Sequence, residues 1–110
     1  MYIEKRYIKR IEKTFELLSV PVRLLDAQGT CLAPENGDAA TLPSLVMAAG
    51  ITHRIEGKLY RALDMNPPLI LTCAADAPGA DNIMIVADAM LMSMFKSGLS
   101  IASHSDVYRR

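Results

Sequence analysis

The run Pro21-Val22-Arg23-Leu24-Leu25-Asp26-Ala27-Gln28-Gly29-Thr30-Cys31-Leu32-Ala33 sets two short apolar segments on either side of Asp26 and Gly29. A tight turn explains both punctuating residues. An aspartate carboxylate caps a turn by accepting backbone N–H groups, and glycine accepts positive φ. The run therefore reads as a β-hairpin. Upstream, Ile3, Tyr7, Ile11, Phe15 and Leu18 recur at steps of three and four, so residues 2–19 form an amphipathic helix. Lys5, Lys9, Glu12, Lys13 and Glu16 fill its solvated side. Val20 and Pro21 end it, because proline biases its predecessor away from helical angles.

Downstream, residues 34–41 form a polar loop containing Asn36-Gly37, and residues 42–50 read as a short helix with Pro43 near its first turn and Gly50 as its stop. Residues 52–63 alternate as a second hairpin around Glu56-Gly57. A two-residue loop there sets His53 opposite Tyr60 and Ile55 opposite Lys58. Asn66-Pro67-Pro68 turns into a fifth strand over 69–74. After a connection through Pro78-Gly79, Asp81 or Asn82 caps a long helix from Ile83 to about Ser97, with Gly98 just past its end. The expected fold is α+β: a five-stranded antiparallel sheet with an N-terminal and a C-terminal helix packed on it.

A chain of 110 residues has room for one core. Hydrophobic residues make up 51% and charged ones 22%, the balance of a folded domain rather than a disordered one. Twelve Lys+Arg against twelve Asp+Glu leave no net charge, which argues against direct nucleic-acid binding by this segment. Residues 1–13 are basic but lack the continuous apolar run of a signal peptide, and no stretch reads as a membrane span. A cytoplasmic location is expected, with Cys31 and Cys73 reduced and buried.

The long helix is unusually apolar. Ile83 to Ala87, Ala89 to Met92, Met94 and Phe95 surround its axis, and Asp81, Asp88, Ser93 and Lys96 leave only a thin polar strip. One face packs on the sheet and the rest needs cover. A homodimer is therefore expected, with Met84, Met90, Leu91, Met94 and Phe95 at its interface. The alternative is burial entirely within the chain.

Phosphate-loop, dinucleotide, hydrolase-elbow and zincin motifs do not occur. His53, His104, Cys31 and Cys73 do not fall at zinc-ligand spacings. No catalytic residue, metal ligand or cofactor is assigned. Arg23, Arg54 and Arg61 lie on strands among apolar neighbours. An arginine turned into a concave sheet face binds a carboxylate or phosphate in bidentate fashion; one on an outer face is merely solvated. The His53–Tyr60 pair reads likewise as a pocket lining or a half-buried cross-strand pair. Arg23, His53, Arg54 and Tyr60 are thus the candidate ligand-binding residues.

Residues 16–33, a helix leading into a hairpin that turns on Asp26-Ala27-Gln28-Gly29, resemble the opening of PAS/GAF-like sensor domains. More narrowly, the hairpin, the later strand pair around Glu56-Gly57 and the long apolar helix resemble the N-terminal domains of PucR/CdaR-type bacterial transcriptional regulators of purine catabolism and sugar diacids. Residues 34–50 are shorter than the helix-rich insert of the sugar-diacid domains. The tail, residues 105–110, resembles the start of a helix linking such a sensor to the rest of a chain. The resemblance implies a PAS/GAF-like sensor domain over residues 1–97 and a linker over 98–110 towards an absent C-terminal domain. It further implies a small-molecule effector, a homodimer, and DNA contact only through that further domain. Two other functions stay open: a ligand-free dimerisation scaffold of roadblock or degenerate PAS type, and a small standalone enzyme.

Overall fold

Asp26 closes the first hairpin as its chemistry dictates. Its Oδ1 accepts the N–H groups of Gln28 and Thr30, each at 2.9 Å, while Gly29 takes φ +92°. The second hairpin turns on Glu56 and Gly57, both at positive φ, a two-residue turn whose twist matches that of the strands it joins.

A computed structural model describes residues 5–35, 37–43, 48–65 and 67–108, with side chains in the last helix as far as Lys96. The elements run α1 (Lys5–Glu16), β1 (Arg23–Leu25), β2 (Cys31–Ala33), β3 (Thr52–Ile55), β4 (Lys58–Ala62), β5 (Ile70–Ala74) and α2 (Ala80–Tyr108). The strands form one antiparallel sheet in the order β2-β1-β5-β4-β3. This is the α+β architecture read from the sequence, and the second hairpin has the expected register: His53 pairs with Tyr60 and Ile55 with Lys58.

Both helices lie on one face. Ile11 and Phe15 of α1 and Met84, Ala87 and Leu91 of α2 pack with Leu24, Leu59, Leu71 and Cys73 of the sheet in one core. A smaller apolar cluster lies on the other face, where Leu25, Cys31, Tyr60, Ala62 and Ile70 meet Ala40 and Leu42. Two residues of the connection after β2, Ala40 and Leu42, therefore cover part of the face that the helices leave open. β5 touches both cores, which is why its first four residues are all buried.

Gly29 holds that cover in place. Its carbonyl accepts the Ala40 N–H at 2.9 Å, and a Cβ at Gly29 would collide with the Ala40 carbonyl oxygen. Gly29→Ala is expected to cost about 2 kcal/mol from strained φ and displaced backbone. A lowered urea midpoint together with lost exchange protection at the Ala40 amide would show it. An unchanged midpoint would mean the connection is not anchored here.

Several expectations need correction. The first helix ends at Glu16, not at residue 19, because residues 17–20 turn the chain onto the sheet; residues 2–4 lie outside the described residues. Of the short helix expected over 42–50, the described residues 42, 43 and 48–50 are not helical. Ala49 instead bridges Ala62, and residues 44–47 lie outside the described residues. Asn36 and Asn66, placed in turns by sequence, also lie outside them. The last helix begins at Ala80, so Asp81 sits inside its first turn, where its charge complements the helix dipole. Gly98 does not stop α2, which continues to Tyr108. A single glycine inside a helix costs only about 1 kcal/mol relative to alanine.

Candidate functional site

Strand alternation sorts the candidate residues onto opposite faces. Cross-strand pairing puts Arg23 beside Thr72, Thr72 beside Tyr60, and Tyr60 beside His53. These four residues therefore form one continuous row across β1, β5, β4 and β3, on the face away from the helices. At neighbouring-strand spacing the row spans about 14 Å. Arg54, adjacent to His53 in β3, points to the helix face instead. There it donates to the Ala75 carbonyl oxygen and pairs with Asp81 at 3.5 Å, an exposed contact of little energetic weight. Arg54 thus does not share a site with the other three candidates.

The row is polar within an apolar setting. Tyr60 is 6% exposed and Thr72 4%, and Thr72 is the one buried polar residue among those described. The Nη2 of Arg23 and the Nε2 of His53 are both buried and have no hydrogen-bond partner among the described residues. Native proteins rarely leave such groups unmet, and each costs about 1–3 kcal/mol when desolvated and unpaired. Two of them at the ends of one row mark a place where the fold forgoes stability. Arg23→Met is accordingly expected to raise stability by about 1 kcal/mol in ligand-free protein, read as a higher urea midpoint. A fall of the same size would show that Arg23 is structural.

The third strand arginine, Arg61, has a different role. Its Nε donates to Asp88 Oδ2 at 2.6 Å and its Nη1 to Thr52 Oγ1 at 3.0 Å, with both charged side chains 13% exposed. This pair ties α2 to the edge hairpin beneath it. Asp88, read from the sequence as part of a thin polar strip, is turned inward by that arginine.

The expected dimer interface also divides. Met84 and Leu91 are 0% exposed and belong to the chain's own core, so they offer nothing to a partner. The core they share with α1 and the sheet consumes them. Met90, Met94 and Phe95 are partly buried. Met90 and Met94, with Arg10, Thr14, Ala89 and Ser93, line an open groove of about 490 Å³ between α1 and α2. Among the described side chains of α2, the large apolar ones that stand exposed are Ile85, at 51%, and Val86, at 43%, which the sequence reading had not separated from the core positions.

Sequence reasoning missed Thr72 and the Arg61–Asp88 pair. Each had a signal: one polar residue inside the apolar strand 69–74, and one acid inside an otherwise apolar helical run. Cys31 and Cys73 are buried free thiols. Burial, and then the Asp81 charge, pushes the Cys73 thiol above its ordinary value, which keeps it protonated and unreactive. Among the described residues no group of three metal-ligating side chains converges, and no helix is long and apolar enough to cross a membrane. The side chain of His104 lies outside the described residues. Compared with known proteins, the chain matches no family model, no curated protein and no solved structure.

Proposed function

We propose that this chain is a PAS/GAF-like sensor module of a PucR/CdaR-type transcriptional regulator, binding a small molecule on the helix-free face of its sheet. The single observation that carries the reading is the row from Arg23 to His53, with a buried, unpartnered nitrogen at each end. Ala40 and Leu42, in the connection pinned at Gly29, pack on this face, and Thr72 and Tyr60 carry hydroxyls between the two ends. Signal passes to α2 through β4, since Tyr60 in the row is followed directly by Arg61, which holds Asp88. DNA contact falls to a further domain reached through α2. Native mass spectrometry of freshly purified protein tests the reading. A retained small molecule, lost in Arg23→Gln, is the expected result. Bare protein, with no mass added by any metabolite extract, would overturn it.

A specific observation also favours self-association, alone or together with sensing. α2 is about 43 Å long, whereas the five-residue strands beneath it reach only about 17 Å. The helix thus outruns its own support, and in the part seated on the sheet it turns Ile85 and Val86 outward. A second copy packing α2 against α2 covers both, and zero net charge opposes it with no overall repulsion. Sedimentation equilibrium at high micromolar concentration should give a dimer for wild type and a monomer for Ile85→Asp with unchanged circular dichroism. A monomeric wild type would remove this surface from the account.

A further inference from the structure

We propose that the row takes a small carboxylate with an apolar body, its anionic end on Arg23; this rests on the reading of the face as a ligand site. The five strands carry Arg23, Arg54, Lys58 and Arg61 and not one acidic residue. The sheet's arginines must therefore find counter-charges elsewhere. The two that face the helices find them on α2: Arg54 meets Asp81 and Arg61 meets Asp88. Arg23 faces the other way, beyond the reach of α2, and its Nη2 is buried with no partner among the described residues. The missing partner of a guanidinium fork is a planar acceptor, and a carboxylate matches it in shape and charge.

The rest of the face narrows the class. Beside the row lie Leu25, Ala62 and Ile70, all buried and apolar. Within the row the polar groups beyond Arg23 are two hydroxyls and the His53 imidazole, too few to meet a polyhydroxylated ligand. Lys58, the other cation on this face, is exposed at the start of β4, so Arg23, with its buried Nη2, is the cation that an anionic end meets. A single carboxylate on an aliphatic or aryl body suits Arg23 and the apolar residues beside it, and a hydroxyl or carbonyl at its far end would meet the His53 Nε2.

Amide-resolved NMR titration with hexanoate, hexanamide, tartrate and inorganic phosphate tests this. Hexanoate should shift the amides of β1, β3, β4 and β5 saturably and bind at least tenfold more tightly than its uncharged amide. Arg23→Gln should erase that preference while keeping a dispersed spectrum, and Arg54→Gln on the opposite face should leave it intact. Equal binding of hexanoate and hexanamide, or tighter binding of tartrate or phosphate, would overturn the carboxylate class and leave the site standing. No shift with any probe, while native mass spectrometry still finds a retained molecule, would do the same. No shift and no retained molecule would overturn both the class and the site.

Discussion

Met84→Asp should abolish folding, whereas Ile85→Asp, one residue along the same helix, should leave the fold intact. Met84 is 0% exposed in the core between α2 and the sheet, and Ile85 is 51% exposed. An ionised carboxylate forced into that core costs several kcal/mol of desolvation, to which the lost burial of the methionine adds about 1.5–3 kcal/mol. The total, at least about 5 kcal/mol, matches most or all of the stability of a domain this size, about 5–15 kcal/mol. Urea unfolding and near-ultraviolet circular dichroism separate the two variants. A folded Met84→Asp would mean that α2 is seated on the sheet in another rotation, and the division between core and outward residues would fall with it.

The second large effect is expected at Arg61. Arg61→Leu leaves Asp88 largely buried with no counter-charge and should destabilise the chain by about 3 kcal/mol. Removing both charges, as Arg61→Met with Asp88→Leu, should restore near-wild-type stability, because a buried pair gains little over an apolar pair of similar volume. The double-mutant cycle isolates the coupling. The same double variant bears on function: if the pair carries the signal from the row to α2, ligand binding should survive while any ligand-induced change in α2 is lost. Additive single-mutant costs would show that the two side chains do not act as a unit.

The turns were legible in the sequence because they are local. Asp26 accepts N–H groups two and four residues away, and Glu56-Gly57 closes a two-residue loop, so the hairpin and the His53–Tyr60 register follow from neighbours in the chain. Of the residues that the apolar spacing of the first helix placed inward, Ile11 and Phe15 are buried, Tyr7 and Leu18 are half-buried, and Ile3 lies outside the described residues. Alternation along a strand already separates His53 from Arg54, since adjacent residues point to opposite faces. That part of the candidate set was decidable without coordinates.

The tertiary structure alone decided which face is which. α2 is apolar around most of its circumference, so its sequence does not say that Met84 and Leu91 turn inward while Ile85 and Val86 turn outward. That depends on where the sheet lies, a contact between segments far apart in the chain. The same holds for the strand arginines. Arg61 and Asp88 are 27 residues apart and become partners only because β4 lies under α2. Arg23 keeps a buried Nη2 without a partner among the described residues because β1 turns it to the face that α2 does not cover. Local chemistry thus determined the turns, the strand register and the amphipathic first helix. The distribution of charge between the two faces, and with it the candidate site, came from long-range packing that no local pattern encodes.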